Sequence, residues 1–311
     1  MLLRRIAATL PVMAVVALIV FLLIHLSPGD PAALIAGDLA STDDIARLRA
    51  TLGLDQPLWR QFWIWAVRLA HGDLGTSIFT QVPVTALLAQ RIEPTLSIAL
   101  VTMAIAIVLA IPLGTLAAHR AGSWIDRAVM VFSVLAFSVP VFLIGYLLIW
   151  GFAIRLQWLP VQGYAPLAEG VGPWLAHLLL PCTNLALVYM ALLTRMTRAT
   201  VLEVLQEDYI RTARAKGVAE RLVVARHAMR NAMLPVVTVI GLEFAFLIGG
   251  LVVTEQVFNL NGIGKLFVQA VARSDFTMIQ GLVLLVSVFF VLINFVIDLM
   301  YAFLDPRIRY R

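Results

Sequence analysis

Charge is scarce in this chain. Only 13% of its 311 residues are charged, while 61% are hydrophobic; an ordinary soluble domain has about a quarter of its residues charged and about half apolar. A water-soluble core grows too slowly with length to hide that much apolar surface. A soluble enzyme, a disordered tail and a disulfide-stapled secreted domain are therefore excluded. Cysteine is nearly absent as well. The one present, Cys182, allows neither an internal disulfide nor a thiolate-based metal cluster.

Familiar catalytic signatures are missing too. Gly262-Ile263-Gly264-Lys265 lacks the earlier glycine and the following Ser/Thr of a phosphate-cradling loop. None of the five histidines is followed by glutamate, and no Gly-x-Ser-x-Gly elbow occurs. The expectation is a chain with no catalytic residue, no metal ligand set and no cofactor of its own.

What the chain has is long apolar runs. A helix needs about 20 apolar residues to cross a hydrocarbon core of about 30 Å. Six stretches qualify: 6–27, 95–118, 128–154, 171–194, 232–254 and 276–297. The first is too long in its apolar part for a signal peptide and no small-residue cleavage site follows, so it reads as an uncleaved crossing. The third, at 27 residues, must tilt or bend at Pro140. Pro112 and Pro181 are further kink positions, tolerated where neighbouring helices support the chain.

Basic residues give the orientation. With the N-terminus inside, the inner segments are the tail (Arg4, Arg5), the 119–127 turn, the 195–231 loop and the C-terminus. Together they hold 15 of the 23 basic residues against six acids, a local charge of +9, and the rest of the chain is −4. That asymmetry places both termini in the cytoplasm. Topology alone would explain the charge of the 195–231 loop, so charge does not by itself make that loop functional.

Two stretches are not crossings. In residues 28–93, Ser41-x-x-Asp44 forms a capping box that opens a helix with Ile45, Leu48 and Leu52 on one face and Gly53 beyond its end. A second helix from Pro57 to near Gly72 carries Trp59, Trp63 and Trp65, three of seven tryptophans. Aromatic residues concentrate at membrane–water boundaries, so this helix reads as an anchor along the outer interface, ahead of a docking surface for a partner. The other stretch is the 195–231 loop. Asp208-Tyr209-Ile210-Arg211-Thr212-Ala213-Arg214-Ala215-Lys216-Gly217 reads as a short helix, with Asp208 as N-cap and Gly217 as a left-handed stop. Alanines 213 and 215 keep it slim. A second helix from Glu220 leads to Leu234-Pro235, so the loop is a helix–glycine–helix elbow.

Polar groups within the crossings are few: Glu243 near the middle of the fifth, and Asn294 and Asp298, four apart on one face of the sixth. Such groups normally face a bundle interior or an aqueous pathway. Pathway lining and an interhelical hydrogen bond stand level for Glu243, while an interfacial cap suits Asp298 better. His177 and Cys182 read as packing residues.

With these segments in place, the chain resembles the membrane permease subunits of dipeptide, oligopeptide and nickel ABC importers. The resemblance rests on seven runs in order: Pro28-Gly29-Asp30-Pro31, Gly53-Leu54-Asp55-Gln56-Pro57-Leu58, Gly72-Asp73-Leu74-Gly75-Thr76-Ser77, the 208–217 stretch, Arg230-Asn231-Ala232-Met233-Leu234-Pro235, Glu255-Gln256-Val257-Phe258 and Asp305-Pro306-Arg307-Ile308-Arg309. Two departures are visible. Arg211 replaces the glutamate of the general Glu-Ala-Ala-x-x-x-Gly loop, as the peptide-type branch characteristically has it, and Asn261 stands where this branch usually has proline.

The resemblance implies an all-α polytopic fold of six transmembrane helices, the type I ABC importer permease. The expected organisation is 1–27 as tail and first crossing, 28–93 as an extracytoplasmic helical segment, 94–303 as a five-helix core and 304–311 as a cytoplasmic tail. It implies a bacterial inner-membrane location and a second, homologous permease. Two cytoplasmic ATPases would use ATP and Mg, and an extracytoplasmic solute-binding protein would deliver cargo; there is no nucleic-acid partner. Asp208, Tyr209, Arg211, Thr212, Ala213, Arg214, Ala215, Lys216 and Gly217 would couple the ATPases to the crossings. The rival readings are a secondary transporter driven by an ion gradient through Glu243, which would call for internal repeats that the chain does not clearly show, and a non-transporting receptor or scaffold.

Overall fold

A computed structural model describes residues 2–26, 32, 33, 41–51 and 53–304. The Pro28–Pro31 run, Leu52 and the Asp305–Arg309 run lie outside the described residues, as do the side chains of Arg4, Arg5, Leu48 and Asp298. The chain is built of helices: α1 (Leu2–Leu26), α2 (Thr42–Thr51), α3 (Leu58–Ala70), α4 (Val84–His119), α5 (Trp124–Ser138), α6 (Val141–Arg155), α7 (Val171–Val204), α8 (Asp208–Ala215), α9 (Glu220–Val257), α10 (Ile263–Ala272) and α11 (Phe276–Leu304). Among the described residues, four of these are long and apolar enough to cross a membrane, or five if the bent α5–α6 pair is one span.

Proline explains where helices break and where they do not. Pro11, Pro94, Pro112, Pro181 and Pro235 all sit inside continuous helices. Pro140 does not: Val139 is driven to extended backbone (φ −83°, ψ 130°), and the helices on either side diverge by 101°. A residue before proline is pushed out of the α region by the pyrrolidine ring, so the long third run bends at Pro140. Two stretches are wound more loosely as π-helix, Ile149–Arg155 at the end of α6 and Val223–Ala228 near the start of α9. Single π-turns of this kind often accompany functional sites.

The chain divides into two compact units. One comprises Met1–Ile92 and Leu266–Val291, the other Glu93–Lys265 and Leu292–Arg311. In the first, the capping box forms as the sequence indicates: the Asp44 amide donates to Ser41 Oγ at 3.2 Å and the Ser41 amide to Asp44 Oδ2 at 3.3 Å. Phe21 of α1 packs on Phe62 and Trp65 of α3, with ring centroids 5.3 and 5.7 Å away. His25 meets Gln61 at 3.1 Å. The buried Gln280 side chain of α11 donates to the Val20 carbonyl at 3.1 Å. The Gly72–Ser77 run forms a tight turn in which Gly75 (φ +83°) donates to Asp73 Oδ1 at 2.8 Å.

In the second unit one apolar core joins Ile98, Met103 and Ala106 of α4 with Leu178, Leu185 and Leu193 of α7 and Val236 and Leu247 of α9. Small residues set the spacing. A Cβ on Gly114 would lie 2.6 Å from the Thr194 carbonyl and 2.7 Å from Thr197 Cβ, so α4 and α7 touch backbone to backbone there. Such contacts drive helix association in lipid, where burial of apolar surface gives no preference between neighbours.

Candidate functional site

The 195–231 segment folds as an elbow with a built seat. α7 ends at Val204, and Glu207 takes extended backbone (φ −66°, ψ 145°) at the N-cap of α8, without a side-chain cap bond. Asp208 is therefore the first helical residue, where its carboxylate faces the positive helix end, rather than the N-cap that the sequence suggested. α8 buries two side chains only, Ile210 and Ala213, against Val204, Leu205, Val218, Val223 and Ala228. Asp208, Tyr209, Arg211, Thr212, Arg214, Ala215, Lys216 and Gly217 are exposed. The short helix thus shows one face to its own chain and the remainder to solvent or a partner.

Its far end is fixed by backbone and charge. Gly217 adopts φ +76°. Its amide donates to the Arg214 carbonyl at 2.9 Å and the Val218 amide to the Ala213 carbonyl at 3.3 Å, the helix-ending pattern that favours glycine. Arg214 then donates two N–H groups to Glu220 at 3.0 and 2.7 Å. That carboxylate holds the Arg214 guanidinium above its usual range. Glu220 also stands 3.9 Å from His119 at the end of α4. The near end is tied by Asn231 of α9, whose side-chain amide donates to the Tyr209 hydroxyl at 2.8 Å. Two runs recognised separately in the sequence, 208–217 and 230–235, therefore meet in space. Arg211 pairs with Asp208 at 3.3 Å, an exposed contact one helical turn apart.

A second clamp holds the neighbouring turn. Arg198 of α7 donates two N–H groups to the buried Asp126 of α5, at 2.5 and 2.7 Å. The Gly122 amide adds a third bond to that carboxylate at 2.9 Å. Bidentate, charge-assisted geometry of this kind is roughly twice as strong as a neutral hydrogen bond.

Of the pathway candidates, Glu243 and Asn294 have described side chains. Glu243 is 2% exposed, and neither carboxylate oxygen has a hydrogen-bond partner among the described residues. It points into the packing of its own unit. Asn294 lies on an exposed face of α11. Among the described residues no group of three or more His, Cys, Asp and Glu side chains is placed to hold a metal.

Sequence reasoning gave no role to two anchors. Glu255, fully buried, accepts from Thr95 Oγ1 at 2.7 Å and from the Lys265 amide at 2.8 Å, while Thr95 Oγ1 accepts from the Ile263 amide at 2.8 Å. Gly262 leaves no room for a side chain, because a Cβ there would fall on the Glu255 carboxylate. Asn261, which stands where proline is usual in the branch, is tied in place: Lys265 Nζ donates to Asn259 Oδ1 at 2.5 Å and to Asn261 Oδ1 at 3.3 Å. The other anchor, Asp275, caps α11 by accepting from the Met278 amide at 3.2 Å and takes the Ser77 hydroxyl at 2.5 Å. Aspartate one place before a helix is a cap signal the sequence did carry.

The match to known proteins is extensive. Residues 110–310 fit the family described as binding-protein-dependent transport system inner membrane component, and residues 1–99 fit the N-terminal region of such membrane components. The "Probable peptide ABC transporter permease protein" of Sinorhizobium fredii is 50% identical, covering 99% of this chain and 98% of that protein. A glutathione transport system permease protein of Escherichia coli is 44% identical, covering 99% and 98%. In fold the chain is similar to a chain of the MetNI methionine ABC transporter in an inward-facing conformation, with a TM-score of 0.57 and 19% identity over 71% of this chain and 97% of the other. The chain belongs to the binding-protein-dependent transport system inner membrane component family.

Proposed function

We propose that this chain is one of two transmembrane subunits of an ATP-driven importer that carries di- or oligopeptides, or a similar small solute such as glutathione, across the bacterial inner membrane. The substrate class is supported by the peptide and glutathione permeases it matches over nearly full length. Both termini and the 195–231 elbow face the cytoplasm, in keeping with the basic excess of those segments. The chain has no ATPase machinery of its own; two ATPase subunits, a second permease and a solute-binding protein complete the assembly.

The observation that carries the reading is the tethering of α8. Its inner face is seated on Val223 and Ala228, its two ends are bonded to Asn231 and Glu220, and its outer residues are free to enter a groove. A helix held this way acts as a lever. ATP binding closes the ATPase pair, α8 moves with the ATPase that grips it, and α9, bonded to α8 at Tyr209 and packed against it at Val223 and Ala228, is carried along. A ligand shifts an equilibrium between outward- and inward-open states only by its differential affinity for them, so this mechanical link makes nucleotide binding at one face felt by cargo at the other. Glu243, Asn294 and Asp298 remain the candidates to meet cargo within the crossings.

The test is uptake by proteoliposomes holding the complete transporter. Import should stop when ATP is withdrawn with the membrane potential held, and should continue when the potential is collapsed with ATP present. Under the same conditions any uptake by Glu243→Gln should still depend on ATP and not on the ion gradient. Import that follows the ion gradient and is abolished by Glu243→Gln would establish the secondary-transporter reading instead.

A further inference from the structure

We infer that α3 is a membrane-surface helix whose exposed side is built for phospholipid rather than for water or a protein: Trp59, Trp63 and Val67 enter the acyl boundary while Arg60 and Arg68 meet the lipid phosphates. The observation is an inverted burial pattern. No residue of α3 is fully buried, yet it is rich in apolar side chains. Its inner side, Gln61, Phe62 and Trp65, is already occupied by α1. Its other side leaves Trp59 73%, Trp63 67% and Val67 40% exposed, in a stripe at four-residue spacing that falls on one helical face. Arg60 is exposed beside that stripe, Arg68 is exposed farther round the helix next to Ile64, and α3 contains no acidic residue. Apolar side chains with a large aromatic share, flanked only by cations, are the composition of helices that lie in the headgroup region.

The length of α1 gives the level independently. α3 grips α1 at Phe21 and His25, in the last two turns before Leu26. From Arg5 to His25 a helix rises about 30 Å at 1.5 Å per residue, which is about the hydrocarbon thickness of a bilayer. With α1 taken as the first crossing that the sequence indicates, and residue 5 at one surface, His25 and the helix bonded to it lie at the other. The exposed Leu18, Ile19 and Leu23 of α1 lead directly up to that level, so the lipid-facing surface of the span continues onto α3. The inference holds whichever leaflet this is. It assigns the outer segment a lipid contact, and the Trp stripe is then not the docking face for a soluble partner.

Depth measurement by electron paramagnetic resonance tests this. In the assembled transporter, reconstituted in phospholipid vesicles with Cys182→Ala, a nitroxide is placed at position 63 through Trp63→Cys, and another at position 59 through Trp59→Cys. Oxygen concentrates in the bilayer and a nickel chelate in water, so collision with oxygen should exceed collision with nickel at both positions. The pair Arg60→Glu with Arg68→Glu should raise nickel collision at position 63 at least twofold. Nickel collision exceeding that of oxygen overturns the inference in favour of a solvated face. Low collision with both reagents overturns it in favour of a protein partner. An unchanged depth in the arginine variants removes the phosphate contact.

Discussion

Arg214 and Glu220 close the elbow with two parallel hydrogen bonds, 3.0 and 2.7 Å long, around the left-handed Gly217 that lies between them. Both side chains are about 40% exposed, so the pair adds at most about 1 kcal/mol to folding. Its value is geometric, for it fixes the angle between α8 and α9.

Gly217→Val should therefore disturb coupling more than stability. A Cβ at Gly217 meets nothing within 4 Å, so the cost is backbone strain alone, about 1–2 kcal/mol for a left-handed residue. Expression and membrane insertion should match the parent, while the ratio of solute imported to ATP hydrolysed falls. Gly217→Asn, which tolerates that backbone, should restore most of the ratio. Equal ratios for glycine and valine would remove the lever.

Ala213 and Ala215 should separate seat from grip. Ala213 is 8% exposed and packs on α9, so Ala213→Arg overfills the seat and costs about 1–3 kcal/mol. Ala215→Arg adds a charge on the exposed face and should leave thermal stability within about 0.5 kcal/mol while weakening co-purification with the ATPase subunits. Thermal unfolding and pull-down on both variants check this; identical behaviour would mean that the two alanines share one role.

The Asp126–Arg198 clamp should be worth more than the elbow pair, because Asp126 is 4% exposed. Asp126→Asn leaves Arg198 without its charged acceptor, a loss of about 2 kcal/mol for a hydrogen bond to a charged group. A lower unfolding temperature, accompanied by unchanged stability in Glu220→Gln, is the expected contrast.

Glu255→Ala should loosen residues 259–262. It strips the acceptor from Thr95 and from the Lys265 amide, both part-buried donors, and a donor left unpaired costs up to about 1–3 kcal/mol when fully buried. Amide exchange should rise at Leu260, Gly262 and Ile263 while the exchange of α7 stays as before. Uniform exchange across both would show that Glu255 supports the whole unit.

Local signals were legible in the sequence because their causes are local. The Ser41 capping box, the stop at Gly217 and the bend at Pro140 each depend on a few adjacent residues, and each is found in place. The start of α8 was displaced by one residue, since Glu207 and Asp208 are both acidic and only backbone geometry tells cap from first turn. Ala213 looked equivalent to Ala215 until the fold placed one against Val223 and Ala228. Glu255 and Asp275 were hidden for a different reason. Their partners Thr95 and Ser77 lie 160 and 198 positions away, and no periodicity reports so distant a pairing.

The bond between Asp126 and Arg198 also has a consequence for the bent pair, because it ties the start of α5 to the end of α7. α7 runs from Val171 to Val204 without interruption and is long and apolar enough to cross a membrane, which on the proposed topology puts its first and last turns at opposite faces of the bilayer. Arg198 touches Asp126, which puts the beginning of α5 at the face where α7 finishes. The polypeptide must then change sides somewhere between residues 126 and 171. On the proposed topology, the angled helices on either side of Pro140 therefore make one complete passage folded at its middle.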